Sequence, residues 1–503
     1  MEAHIAHRDR RPGNATKMLE TATHGTAPAG LLSPLCVDLD GTLVKSDTLH
    51  DSLLVLLRTR PSKVPQLFLK LLRGKAAFKA FVIDLVAPDV AHLPYNRKLL
   101  QFLKSEHGRG REIYLATGAD RRLAERIAEH LGIFTGVLGS DGEVNLTGNR
   151  KLDHLRSHLK ERFSYIGNAT PDLPLLAEAV EPMVANPGRA MRAVMRGRGI
   201  HPVHEFKERA GTARSVIRAI RIHQWAKNLL IFAPLLLAHT LTLDKTLKAV
   251  LAFFCFSLAA SSTYIVNDLL DIEADRRHSR KWRRPFAAGD LSAPAGMLMI
   301  VIFLALALLG SRLLPLAFLE CLLLYLGSTL AYSGYLKRVP LVDVMVLSGL
   351  YTLRLLAGGA ATGTALSHWM AGFSIFLFFS LALVKRFAEL ENLRAAGLQP
   401  KNGRGYLLSD IDQLRSFGTA SSYAAVIVFA IYIAGLDVTA HYGRPAYLWF
   451  AVPLLILWLS RVWLLASRGE LDEDPVIFAF TDRMSLFIGA LVTLVVLLAH
   501  PLR

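Results

Sequence analysis

Cysteine is scarce in this chain: there are three in 503 residues, at Cys36, Cys255 and Cys321. They lie far apart in apolar surroundings, which excludes a disulfide framework and a zinc site of paired thiolates. Acidic residues are outnumbered, 41 against 58 lysines and arginines, for a net charge of +17. The opening residues MEAHIAHRDRRPGNATKMLE have no apolar core and do not read as a signal peptide. Residues 1–30 are expected to form a disordered lead. Up to about Arg221 no long apolar run interrupts the scattered charges. Beyond about Asn228 it is charge that is lacking. Apolar runs recur there, each near the ~20 residues that cross a bilayer as a helix. Nine are expected, at about 228–242, 246–266, 294–311, 313–333, 341–361, 367–385, 416–435, 446–465 and 484–500.

The distribution of the basic residues argues against nucleic acid as a partner. They cluster in loops after even-numbered spans: Arg276, Arg277, Arg280, Lys281, Arg283 and Arg284 after the second, Lys337 and Arg338 after the fourth, Lys385 and Arg386 after the sixth. Alternate loops hold little beyond Lys245, Arg312 and Arg444. The positive-inside rule then places the N-terminal region and the even loops in the cytoplasm, in a multi-pass protein of the cell inner membrane. With nine spans the C-terminus lies outside. The oligomeric state stays open.

The densest chemistry lies from Tyr264 to Pro285, YIVNDLLDIEADRRHSRKWRRP. Asp268, Asp271 and Asp275 are spaced so that a continuous helix projects all three from one face, with Asn267 beside them. Three like charges there repel unless a cation binds them, and oxygen-only ligands suit Mg²⁺. Acidic groups at membrane depth are costly and mark function. Beside the arginines such a site suits a diphosphate. A solvated helix end is the plainer alternative.

The N-terminal region reads as strands alternating with helices. LCVDLDGTL is a buried strand ending in Asp38 and Asp40. REIYLATGAD ends at Thr117 and Gly118 before a helix from about Arg121, and FSYIGNATPDLPLL ends in a polar loop containing Asp172. This order implies an α/β domain with a parallel sheet, whose ligands sit at the carboxyl ends of the strands. Over about residues 33–190 the set resembles the haloacid dehalogenase (HAD) phosphatase superfamily. The resemblance implies that Asp38 is the nucleophile and Asp40 the general acid/base. It further implies that Thr117 and Lys151 bind phosphate, and that Asp38, Asp40 and Asp172 hold Mg²⁺. The segment 50–95 looks like a small helical cap. Family members commonly carry an acidic residue where this chain has Asn168, which lowers the charge of the site. A retained but inactive fold stays open beside an active phosphatase.

The all-α region over about residues 212–503 resembles the UbiA superfamily of intramembrane prenyltransferases. NDLLDIEAD at Asn267–Asp275 and YSGYLKRVPLVDV at Tyr332–Val344 carry the resemblance. IRIHQWAKNLLIFAPL, DRRHSRKWRRPFAAG and VKRFAELENL look like the branch of decaprenyl-phosphate phosphoribosyltransferases. That branch joins 5-phosphoribosyl diphosphate (PRPP) to a polyprenyl phosphate. The resemblance implies that Asp268, Asp271 and Asp275 bind Mg²⁺ and act in catalysis. Lys227, Asn267, Arg284, Tyr335, Lys337, Arg338 and Asp343 are then substrate-binding candidates. The second motif offers one acidic residue, Asp343, among several cations, which suits two phosphorylated substrates. Topology anchoring is the alternative for Lys227, Lys337 and Arg338, and an interfacial aromatic belt for Tyr335. Two other functions stay open: prenyl transfer to an aromatic or other small acceptor, and a transporter or scaffold with a soluble sensor domain. The expected domains are HAD-like at 31–200, an amphipathic linker at 201–220, and UbiA-like at 221–503.

Overall fold

A computed structural model describes residues 33–500 except 87, 142–144, 160–161, 239–240, 400–403, 436–437, 439–441 and 472–473. The expected disordered lead at 1–30 lies outside the described residues.

The N-terminal domain is a six-stranded parallel sheet in the order β3-β2-β1-β4-β5-β6. Its strands are β1 (Leu35–Val37), β2 (Ile113–Asp120), β3 (Gly136–Ser140), β4 (Ser164–Gly167), β5 (Pro182–Ala185) and β6 (His204–Phe206). Leu35, Cys36 and Val37 have no solvent exposure, as a central parallel strand covered on both faces requires. β6 adds an edge strand within the stretch read as linker. After β1 the chain leaves the sheet through α1 (Thr48–Thr59), α2 (Val64–Leu72) and α3 (Lys75–Leu85), the expected helical cap. These close on a small core of Leu56, Leu67, Val82 and Val86. The sheet helices are α4 (Arg97–Gly108), α5 (Arg121–Leu131), α6 (Asn149–Leu159), α7 (Leu173–Glu178) and α8 (Arg189–Gly197). Asp120 caps α5 by accepting the Arg122 amide, and Gly132 ends it in the left-handed conformation (φ 62°).

The chain enters the membrane domain through α9 (Thr212–Ile220), 3₁₀ turns over residues 222–232, and α10 (Ala233–Leu237). Then come α11 (Leu243–Leu270), α12 (Ile272–Arg277), α13 (Ala293–Ser311), α14 (Leu316–Gly334), α15 (Val342–Thr362), α16 (His368–Ala395), α17 (Ile411–Ala434), α18 (Ala451–Ser467), α19 (Pro475–Thr481) and α20 (Arg483–Ala499). Among the described residues seven helices are long and apolar enough to cross a membrane, or eight if the bent pair α19–α20 is one span. The expected nine is therefore corrected. The run at 228–242 is not one helix: 3₁₀ turns end at Phe232, Pro234 sits in the first turn of α10, and that helix stops at Leu237. The last run, 484–500, falls on the 17-residue α20, which is bent by 78° from α19. Asp482 stands at that bend, capping α20 through the Ser485 amide (2.8 Å) and pairing with Arg461 (2.6 Å).

α15 is the most enclosed span, with 67% of its apolar window buried, against 17% for α13 and for α14. Ala357 of α15 packs in one core with Ile231, Phe256, Phe318 and Tyr325. The 3₁₀ segment reaches α15 most closely at Gly358, where a Cβ would stand 2.0 Å from the Ile231 carbonyl oxygen. A backbone atom cannot turn aside as a side chain can. Gly358→Ala is therefore expected to destabilise the protein by about 1–3 kcal/mol or more. The check is a lower thermal unfolding midpoint in detergent.

Candidate active sites

Two polar sites stand at the ends of buried elements. The first gathers at the carboxyl ends of β1, β2 and β4. The Asp38 amide donates to the Ile166 carbonyl (2.9 Å), which fixes the residue at the mouth of the sheet. Lys151 Nζ donates to Asp38 Oδ1 (2.8 Å) and to Tyr165 Oη (3.0 Å), and lies 3.6 Å from Asp172 Oδ1. Tyr165 donates in turn to Asp172 (2.8 Å). The other Asp172 oxygen accepts the amides of Asn168 and Ala169, both at 3.1 Å. Thr42 donates to Asp38 (3.2 Å), and Asp40 accepts the Thr48 amide (2.8 Å) at the start of α1. Thr117 is fully buried, its hydroxyl accepting the Ala119 amide (3.0 Å). Gly41 stands at φ 74°, and a Cβ there would meet Asn168 Nδ2 at 2.0 Å. Only glycine lets the loop turn against that side chain.

The electrostatics of this site are polarised. Burial pushes the Asp38 carboxyl up to about 6; Lys151 opposes the shift and Asp172 adds to it. Burial, with the neighbouring Asp47 charge, pushes Asp40 up to about 7. Burial acts to lower Lys151, but Asp38 and Asp172 hold it above its usual value. The site thus pairs one carboxylate held by a cation with a second carboxyl poised to keep its proton near neutrality.

The second site lies where α11 leaves the membrane domain. The three aspartates do not share one face. α11 ends at Leu270, and Asp271 turns the chain (φ −93°, ψ 9°) before α12. Arg284 Nη1 bridges Asp268 (2.9 Å) and Asp275 (2.7 Å), so these two carboxylates converge on one cationic nitrogen. Arg221 also pairs with Asp268 (2.5 Å). Asp271 faces elsewhere: Arg58 of the cap helix α1 pairs with it at 2.7 Å, and Lys337 stands 3.9 Å away. Asn267 is half-buried one turn earlier, while Tyr335 and Arg338 are exposed.

Lys227 and Asp343, expected beside this cluster, are engaged in two further networks. Lys227 donates to Asp474 (2.8 Å), which also accepts from Lys385 (2.9 Å) and the Tyr351 hydroxyl (3.1 Å). Asp343 is fully buried, held by Arg386 (2.5 Å) and by the Tyr406 hydroxyl (2.5 Å). Arg386 also reaches Tyr332 (3.0 Å) and Glu389 (2.9 Å). Leu341, at the unfavourable φ of 65°, donates its amide to the same Tyr406 hydroxyl (2.8 Å), which sets Asp343 in the first turn of α15. Asp343 is thus fully buried with both carboxylate oxygens taken by Arg386 and Tyr406.

Arg58, Arg221, Tyr351, Arg354 and Asp474 were not foreseen. Arg354 carried a signal, an arginine inside the apolar run of α15. It is buried, donates to Asn228 (2.8 Å) and lies 5.1 Å from the Tyr325 ring. Arg58 and Tyr351 sit inside helices and Arg221 and Asp474 at helix ends, where no local pattern marks them.

Among the described residues no three His, Cys, Asp or Glu side chains gather closely enough to hold a metal ion. The donor types nonetheless fit Mg²⁺: both sites offer oxygen ligands alone. At the second site the shared Arg284 nitrogen marks a point that Asp268 and Asp275 both reach. At the first, the Lys151 ammonium lies between Asp38 and Asp172.

The model of the UbiA prenyltransferase family matches residues 229–489, and that of haloacid dehalogenase-like hydrolases matches residues 35–177. An uncharacterized protein of Sinorhizobium fredii is 38% identical, over 91% of this chain and 89% of its own. Nodulation protein NoeC of Azorhizobium caulinodans is 34% identical over 53% of this chain and 87% of its own. A decaprenyl-phosphate phosphoribosyltransferase of Mycobacterium tuberculosis is 32% identical over 55% and 90%. A solved UbiA homolog from Archaeoglobus fulgidus bound to GPP and Mg²⁺ is 18% identical, with a TM-score of 0.44 over 56% of this chain and 99% of that one. The chain is a multi-pass membrane enzyme that belongs to the UbiA prenyltransferase family and carries an N-terminal HAD-like hydrolase domain.

Proposed function

We propose that the membrane domain transfers 5-phosphoribosyl from PRPP to a polyprenyl phosphate, and that the HAD-like domain removes the 5-phosphate from the product. The observation that carries the first half is the excess of cations over carboxylates at the end of α11. Arg58, Arg221, Arg284 and Lys337 all stand on Asp268, Asp271 and Asp275. Two anionic substrates need such an excess to approach one another. The relatives named decaprenyl-phosphate phosphoribosyltransferase support the same substrates. The basic loops support a cytoplasmic site on the inner membrane.

Asp268 and Asp275 would hold Mg²⁺, which when bound neutralises the diphosphate and makes it a better leaving group, while Asp271 stands on Arg58 and Lys337. Arg284 and Arg221 are placed to move from the carboxylates to the phosphate oxygens. The C1–O bond of PRPP breaks, and diphosphate leaves with the electron pair. A phosphate oxygen of the lipid forms the new bond to C1. The nucleophile is already anionic, so no general base is required, and positioning and electrostatics carry the rate.

The product keeps a 5-phosphate. In the HAD-like domain Asp38 attacks its phosphorus, and Asp40 donates a proton to the departing ribose oxygen. Asp40 then takes a proton from water, which attacks the phosphoryl-aspartate, frees phosphate and restores Asp38. Helix α1 links the two sites. Its first residue, Thr48, donates to Asp40, and Arg58, ten residues on, pairs with Asp271. At ~1.5 Å per residue that is about 15 Å. A product released at one end starts at high effective concentration near the other.

Two outcomes test this reading. Membranes containing the protein, given labelled PRPP and polyprenyl phosphate, are expected to form a phosphoribosyl lipid and diphosphate. Asp268→Ala is expected to abolish this while the protein still inserts. Prenylation of a small aromatic acceptor with PRPP ignored would favour the other branch of the family. Secondly, Asp38→Asn is expected to accumulate the 5-phosphorylated lipid, separable by mass, with transfer continuing. If the unsubstituted protein also stops at that lipid, the HAD-like domain does not act on it.

A further inference from the structure

Helix α2 carries two apolar faces. Leu67 and Val64 pack into the cap core with Leu56 and Val82. On another face Pro65, Phe68, Leu69 and Leu72 follow the i, i+3, i+4, i+7 spacing of one helix stripe. Phe68 is 70% exposed, Leu69 66% and Leu72 85%. Lys63 and Arg73 stand at the two ends of the helix, Lys70 lies over the Phe81 ring, and no acidic residue occurs between Ser52 and Ile83. An exposed apolar patch in such a basic segment marks an interaction surface.

The position of α2 says what covers it. Arg58, six residues before α2, is paired to Asp271 at the end of α11, and Asp51 of the same cap helix is paired to Arg276 (2.8 Å). These contacts hold the cap at the ends of α11 and α12, where the chain leaves the membrane domain. The basic, acid-free segment around the stripe matches the anionic headgroups of a cytoplasmic leaflet. Beside α2 a cavity of about 540 Å³ opens between cap and sheet, lined by Leu49, Leu71, Lys75, Phe78 and Lys79 among others. Leu71 belongs to α2 itself. Lys79 donates to the Gly118 carbonyl (2.6 Å), next to Thr117. The cavity thus joins an apolar wall and two ammonium groups to the loops of the first site.

We propose that α2 lies in the headgroup region of the bilayer with Phe68, Leu69 and Leu72 among the acyl chains, and that the cleft beside it receives a phosphate monoester borne by a membrane lipid. The substrate half of this proposal rests on the phosphatase reading above. The placement of α2 does not.

The test uses the full chain in vesicles of phosphatidylethanolamine and phosphatidylglycerol. An environment-sensitive fluorophore on Leu72→Cys is expected to be quenched by brominated acyl chains and shielded from iodide. Iodide quenching without an effect of the brominated lipid overturns the placement. The paired variant Phe68→Asp/Leu72→Asp is expected to hydrolyse p-nitrophenyl phosphate as the unsubstituted protein does. It is expected to lose about an order of magnitude on vesicle-borne lipid-phosphoribose 5-phosphate. Equal retention on both substrates overturns the claim that the cleft is served from the membrane. If the unsubstituted protein hydrolyses neither substrate, the phosphatase reading and the substrate half fall together. The fluorophore still decides the placement.

Discussion

Three carboxylates at the end of a membrane helix must be neutralised, and the rest of the molecule is arranged around how that is done. Asp268, Asp271 and Asp275 take their counter-charges from four separate places. Arg58 comes from the cap, Arg221 from the lead into the membrane domain, Arg284 from the loop after α12 and Lys337 from the loop after α14. Asp268 and Asp275 are buried, and leaving a buried charge without its partner costs ~3–5 kcal/mol. Arg284 and Arg221 therefore tether their segments most strongly, while the partly exposed Arg58 and Lys337 pairs are screened by solvent. The same arrangement is suited to substrate. Guanidinium groups that donate to carboxylate oxygens, as Arg284 and Arg221 do here through single nitrogens, can also donate to phosphate oxygens.

A consequence is that the HAD-like domain is part of the transferase surroundings. Through α1 one helix meets Asp40 at its first residue and Asp271 near its last turn. Asp51 and Ser46, in the same stretch, both contact Arg276. The joint between domains combines these ion pairs with an apolar contact of Leu54 against Ile265, Leu269, Ile272 and Phe286, and it sits on the acidic motif itself. The Asp474 and Asp343 networks lie beyond it, where they fix Lys227, Lys385 and Arg386.

Much of this was legible in the sequence. β1, β2 and β4 follow from buried runs ending in polar loops, and their ends do bring Asp38, Thr117 and Asp172 to one side of the sheet. The cap helices and most spans follow from period and length. What failed has specific causes. The reading of one face for the three aspartates assumed an unbroken helix, but the chain turns at Asp271. The first span dissolved into 3₁₀ turns and a short helix, and the last is the single 17-residue helix α20, set at an angle to α19 where Asp482 caps it. Asp474 and Arg58 escaped notice because their importance comes from partners more than a hundred residues away. Arg354 alone announced itself, as a charge within an apolar span.

The central claim is that Asp268 and Asp275, now bridged by Arg284, form a diphosphate site that works through a divalent cation. Calorimetry of diphosphate binding to the full chain in detergent, with and without Mg²⁺, tests it directly. Binding is expected to require Mg²⁺ and to be lost in Asp268→Asn and in Asp275→Asn. Binding of equal strength without Mg²⁺, unchanged by either substitution, would contradict it.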